Sequence, residues 1–215
     1  VKRSFLLIVF ISFWIFFVSW FIPHKTGLNG LNIQSEDTLP AMFIPVAIIK
    51  EKTIFLDSYY NMLLEKYPHP DDKKQEMGLT PYYLRKVLIK SCLTPQQQNC
   101  VEQAHYVSAF PIITPLIALP IYFLPVFLGL AITWENITIL AVISSSIIMA
   151  LAGGFMYFTL VQCFFPEDLE KRLLQQKYFL LTLIYLFGSI NYAHISQALW
   201  QHGTVQLFTI LAVLA

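Results

Sequence analysis

Two adjacent carboxylates, Glu36 and Asp37, open the stretch Glu36-Asp37-Thr38-Leu39-Pro40, directly after an uncharged apolar run. Ionised groups at the edge of an apolar segment are costly unless they face water, a partner or a substrate head group. Asp37 is the residue best placed for chemistry, because an ionised carboxylate at such an edge must be answered by a neighbouring group. The same residues also spell a helix start, with Asp as N-cap and proline in the first turn. Glu36 could share the role of Asp37 or bind a divalent metal with it. Two carboxylates without a further ligand fall short of the oxygen shell that Mg²⁺ or Mn²⁺ requires, so no cofactor is assigned. Asp57 is a second carboxylate in the same polar region, with a surface turn as its alternative role. His105, Gln201 and His202 are hydrogen-bond donors that could meet a polar or anionic group, with Lys50 and Lys52 as further cations, and Trp200 is a ring that could stack or face lipid. An interfacial histidine bonded to backbone is the plainer account of His105 and of His202.

These groups need a scaffold, and composition says which kind. Of 215 residues, 56% are hydrophobic and 13% charged, and the mean hydropathy is +0.59. Soluble domains carry about 25% charged residues, so an integral membrane protein is indicated. A net charge of +1 gives no basis for nucleic-acid binding, and the five histidines match no metal-ligand spacing. Cys163 sits in an apolar run, whereas Cys92 and Cys100 flank a polar stretch and could pair in an oxidising compartment or stay as thiols.

The expected fold is an all-α polytopic helical bundle with a large outer loop carrying membrane-surface helices. Residues 1–22 read as a first spanning helix, too long in its apolar part for a signal peptide and without a small-residue cleavage site. Lys2 and Arg3 keep its start in the cytoplasm. Residues 23–136 form the outer loop. In it, 39–50 is expected as a surface-lying amphipathic helix, 53–57 as extended chain and 67–103 as a polar excursion. The charge run Asp71-Asp72-Lys73-Lys74 is expected as a solvated face. Residues 109–133 hold Pro111, Pro115, Pro120 and Pro125, which predicts a proline-broken segment dipping into the outer leaflet rather than a crossing. Residues 137–165 are the second span, with Gly153-Gly154 as a close helix-packing point. A basic loop, 166–177, with Lys171, Arg172 and Lys177, belongs inside by the positive-inside rule. Residues 178–194 cross back, 195–203 turn on the outer face, and 204–215 begin a fourth crossing. The last run is short of the roughly 20 residues a span needs, so the chain reads as the N-terminal part of a longer protein.

Four blocks in this order resemble the GT-C membrane glycosyltransferases, the aminoarabinose transferase and protein mannosyltransferases among them. The blocks are Asp37-Thr38-Leu39-Pro40-Ala41, Leu56-Asp57, His105-Tyr106-Val107-Ser108-Ala109-Phe110-Pro111 and Ser196-Gln-Ala-Leu-Trp-Gln-His-Gly203. The third has Phe110 where the family pattern has Tyr, and the excursion 67–103 is longer than the pattern expects. The resemblance implies sugar transfer from a polyprenyl-phosphate donor to a glycan, lipid or protein acceptor on the outer face of a bacterial inner membrane. Asp37, with Glu36, would then be catalytic, and Asp57, His105, Tyr106, Ser108, Trp200, Gln201 and His202 would bind substrate. The rival class is a non-catalytic membrane protein, a transporter component or an assembly scaffold. A transporter calls for charges or broken helices within the membrane, and the two inner spans carry no charge. A remnant without activity is the third option.

Overall fold

The computed structural model describes residues 2–28, 35–91, 101–163 and 171–215. Gln34, the pair Cys92 and Cys100, and the loop 166–170 lie outside the described residues. The chain forms two compact units, Val1–Gln34 with Ala131–Ala215, and Ser35–Leu130.

The first unit is built of long apolar helices. Helix α1, Lys2–Lys25, buries a stripe of Ile8, Ser12, Phe16 and Trp20 at four-residue intervals. Its other faces stay open, so 22% of its apolar window is buried against 67% for the later helix α5, Trp134–Cys163. That contrast makes α5 the central helix and α1 a peripheral one. Both are long and apolar enough to cross a membrane. They run antiparallel: Phe5 meets Phe155 at one end, and at the other Lys25 Nζ donates to Glu135 Oε1 at 3.1 Å. Gly154 permits this approach, since a Cβ there would stand 2.6 Å from Val9 Cγ2, and one on Gly153 would stand 2.6 Å from Leu186. The glycine pair thus receives a neighbour on each side, as the sequence suggests.

Helix α6 spans Lys171–Phe187, starting within the stretch the sequence assigns to a cytoplasmic loop. It breaks at Gly188-Ser189 and resumes as the short helix α7, Ile190–Ala193, followed by a 3-10 turn at Ile195–Gln197. The two pieces are bent by 45° and count as a third span only if taken together. The break has a local cause. A Cβ at Gly188 would lie 2.9 Å from the carbonyl of Ile184, and Ser189 is extended. The carbonyl of Tyr185, left without its helical donor, accepts from Ser189 Oγ at 2.7 Å and Asn191 Nδ2 at 2.9 Å. A break in an apolar setting stands only when freed backbone groups find such partners.

After the break the chain does not reach the end of the unit. Ser145 Oγ and Ser146 Oγ donate to the carbonyl of Ser196 at 2.7 and 3.3 Å. Ser145 lies 11 residues from the start of α5, about 16 Å along its axis at 1.5 Å per residue. The sequence expects 195–203 to be a turn at the end of a span; it packs instead half-way along α5. The last helix, α8, covers Gln201–Leu214, so Gln201, His202 and Gly203 are helical rather than part of a turn.

The second unit corrects the all-α expectation. Helices α2, Leu39–Glu51, and α4, Ile113–Phe127, pack on each other, with α3, Tyr60–Lys66, between them in sequence. Strands β1, Leu84–Ser91, and β2, Val101–Ser108, form an antiparallel hairpin in register Leu84↔Ser108 and Val87↔His105. Part of the expected polar excursion is therefore strand. Helix α2 is not amphipathic: Leu39, Pro40 and every residue from Met42 to Ala47 are buried, because it has no polar face. Within 109–133, residues 113–127 form one continuous helix. Pro111 precedes α4 and Pro115 sits in its first turn, where no backbone donor is required. Only Pro120 and Pro125 remove hydrogen bonds, and the helix continues through them. At 15 residues it is about 22 Å long, short of a roughly 30 Å hydrocarbon core.

Candidate functional site

The charged residues singled out by sequence fall in the second unit and form two clusters. At the start of α2, Glu36–Thr38 is a 3-10 turn capped by Ser35, whose hydroxyl accepts from the Asp37 N–H at 3.3 Å. Here the helix-start reading of Asp37 gives way to Ser35, and the Asp37 side chain is left for another use. Its Oδ1 accepts from Tyr82 Oη at 2.7 Å. Burial, and then Asp37, push the Tyr82 phenol well above its ordinary range, so it stays a donor. The Glu36 carboxyl is also raised, by burial first and by the charge of Asp37 second. Burial first, and the neighbouring carboxylate second, thus favour the protonated form of Glu36.

The second cluster joins two of the sequence blocks. Asp57, at the head of a 3-10 turn, accepts the Tyr106 N–H at Oδ1, 2.7 Å, and meets His105 Nδ1 at Oδ2, 2.6 Å. The Leu56 N–H returns a bond to the Tyr106 carbonyl at 2.8 Å. An ionised carboxylate only accepts, so Nδ1 of His105 carries the proton facing Asp57 and Nε2 is the nitrogen left for chemistry. Phe55 stacks on the imidazole at 4.3 Å between centroids, and the His105 side chain is 15% exposed against 39% for Asp57. This arrangement fixes ring, tautomer and direction together. Tyr106 stacks on Tyr60 at 3.8 Å, and the Tyr60 phenol is pushed up to about 12 by burial and then by Tyr106. Ser108 is not in the cluster. Its hydroxyl donates to the Phe110 carbonyl and accepts the Phe110 N–H, both at 3.0 Å, closing a turn at the end of β2.

The remaining candidates lie in the first unit. Trp200 is the residue before α8, Gln201 the first of its helical residues, and the His202 ring stacks on the Trp200 ring at 5.9 Å. Trp200 and His202 line a cavity of about 760 Å³ beside the broken span. Trp200 Nε1 is buried there without a hydrogen-bond partner.

Two polar contacts escape sequence reasoning. Tyr82 stands 45 residues from Asp37, and only the fold joins them. Asp72, expected on a solvated face, is 4% exposed and accepts the N–H groups of Met77 and Leu79 at 3.1 and 3.0 Å. These bonds, led by Leu79, hold its carboxyl below the usual range. The glycine at 78, with φ +66°, was the available signal, since it marks a tight loop that a carboxylate could organise. Among the described residues, no three His, Cys, Asp or Glu side chains are grouped to hold a metal ion.

Comparison with protein-family profiles, with curated protein sequences and with solved structures returned no match. Geometry and residue chemistry therefore carry the functional reading.

Proposed function

We propose that the chain is part of a membrane glycosyltransferase that moves a sugar from a polyprenyl-phosphate donor to an acceptor at the outer face. The observation that carries this reading is the Asp57–His105–Tyr106 cluster: residues 48 positions apart, from two blocks of the resemblance, meet in one hydrogen-bonded group. A histidine held by a carboxylate suits a phosphate that must leave, because the protonated ring donates from Nε2 while Asp57 stabilises its charge. Asp37 is the acceptor-side base in this scheme, with Tyr82 fixing one of its oxygens. A single inverting transfer needs one base and stabilisation of the leaving phosphate, and no covalent carboxylate. The unit 35–130 would face outward, with Lys2, Arg3, Lys171, Arg172 and Lys177 inside.

The test uses the full-length protein in membranes with a radiolabelled polyprenyl-phosphate sugar. Asp37→Asn is expected to cut transfer by about 10²- to 10⁴-fold, the usual worth of a positioned base. His105→Ala and Asp57→Asn should each lower it by a smaller factor. Wild-type rates in all three variants would reject the reading.

A second reading, a non-catalytic transporter component or scaffold, is favoured by the break in α6. A broken span with polar side chains beside it is what a transport path requires. Tyr185 Oη donates to Gln206 Oε1 at 2.5 Å, and Gln206 Nε2 donates to Asn191 Oδ1 at 3.0 Å. That reading expects the reverse pattern, with Asn191→Leu and Gln206→Leu abolishing function while Asp37→Asn and His105→Ala leave it intact.

A further inference from the structure

The two-stranded hairpin of the second unit leaves the far side of β1 without a neighbouring strand. Tyr106 shows which backbone groups face that side. Its N–H goes to Asp57 Oδ1 and its carbonyl accepts from the Leu56 N–H, so both point away from β1. Residues directly opposite in an antiparallel pair turn their backbone groups either both inward or both outward, and the two kinds alternate. Lys86, opposite Tyr106, therefore turns its N–H and carbonyl off the open side of β1, and so do Leu88 and Lys90. The Ala109 N–H bond to the Tyr83 carbonyl, at 3.0 Å, shows the same alternation from the odd-numbered residues, which face β2. Among the described residues, the outward groups of Lys86, Leu88 and Lys90 have no partner.

The side chains decide what can lie along this edge. Strand β1 carries Arg85, Lys86 and Lys90 and no acid, and every residue from Arg85 to Lys90 except Val87 is exposed. Arg85 and Lys86 have no acidic partner among the described residues, and Lys90 has a loose one, Glu102 at 3.9 Å. Lys86, Leu88 and Lys90 share one face of the strand, with Leu88 59% exposed between the two cations. A second copy of β1 would bring three more cations to the same edge, and like charges across a strand pair repel. An anionic bilayer would attract the cations but offers no regular ladder to the backbone groups.

We infer that the free edge of β1 docks an extended acidic peptide segment as a third strand, with the pattern acid-x-apolar-x-acid opposite Lys86, Leu88 and Lys90. The peptide backbone supplies the ladder and its side chains the selectivity, as in strand addition generally. The lysines that turn away a second hairpin are the ones that choose the acidic partner. The surface uses neither Asp37 nor Nε2 of His105, so it stands if the transferase reading fails.

The probe is a fluorescent peptide, Thr-Glu-Thr-Val-Thr-Glu-Thr, titrated against the full-length protein in nanodiscs of neutral lipid, with amide exchange as a second readout. Saturable binding is expected, with protection gained at Lys86, Leu88 and Lys90 and little change at Val87 and Ile89, whose N–H groups already face β2. A peptide with Lys in place of both Glu should bind at least about tenfold more weakly. Leu88→Pro removes the central outward donor and spares the β1–β2 ladder, since an edge strand tolerates proline there. It should weaken binding by roughly three- to tenfold, the worth of one hydrogen bond. Lys86→Glu leaves the backbone alone, and should weaken the acidic peptide several-fold while improving the lysine peptide. No binding of the acidic peptide, equal binding of the two peptides, or no response to either variant overturns the inference. Protection of the same three amides by phosphatidylglycerol nanodiscs without peptide overturns it in favour of a membrane-lying hairpin.

Discussion

The two units differ in where their charged side chains find partners. In the helical unit, Ser145 and Ser146 reach the carbonyl of Ser196, while several buried hydroxyls are silenced locally, Thr138, Ser144 and Thr182 each donating to the carbonyl four residues back. Such bonds satisfy the side chain and commit it to nothing else. In the unit 35–130, polar side chains bond far along the sequence, Asp37 to Tyr82 and Asp57 to His105. Ionised groups there are tied down by one or two contacts while part of each remains open. An apolar surrounding tolerates only completed hydrogen bonds, whereas a wetter one can keep a carboxylate poised.

If this contrast is right, damage in the helical unit should be steric and damage in the other electrostatic. Gly154→Leu forces a side chain into Val9 and Phe5, and is expected to destabilise by about 1–3 kcal/mol, read from unfolding in mixed micelles. Asp57→Ala removes two bonds to a charged acceptor, one of them from backbone, for a loss of about 1.5–3 kcal/mol before solvent exposure discounts it. Faster amide exchange confined to 101–108 would report it.

A gentler test is pH. The Asp72 carboxyl titrates lower folded than unfolded, so its contribution is fully present above the ordinary carboxylate range. It is lost as pH falls through the depressed folded value. The protection of the Met77 and Leu79 amides, corrected for the intrinsic pH dependence of exchange, should therefore fall in acid, and Asp72→Asn should remove that dependence. The smallest effect belongs to Tyr82. In Asp37→Asn its phenol should ionise at lower pH than in the parent, by difference spectroscopy, while remaining above an ordinary tyrosine because burial is the larger cause. A Tyr82 titration unmoved by Asp37→Asn would blur the distinction between the units.

The two long apolar helices were legible because an uncharged run of about 20 residues has few other fates. So was the glycine pair, since two adjacent glycines in an apolar helix have a packing reason more often than any other. The hairpin was hidden: Arg85-Lys-Val-Leu-Ile-Lys90 has no strict alternation, and Leu88 and Ile89 are both exposed near its end. The break in α6 carried only one glycine and one serine as warning. Asp57 was read as a candidate, but its partners at 105 and 106 follow from an edge contact of β2 that no local pattern encodes. For the same reason Asp72 looked solvated, because a charge run reveals nothing about main-chain donors five and seven residues on.

The clasp between Ser145 and residue 196 uses the main-chain oxygen of the latter. Replacing Ser196 would leave that acceptor untouched and cost only its own hydroxyl bond to Tyr192. Replacing Ser145 would leave that carbonyl only the longer bond from Ser146. Selection to keep the kinked segment seated should thus fall on the straight helix, at a position whose importance a reader of the Ser196–Gly203 block alone would never suspect.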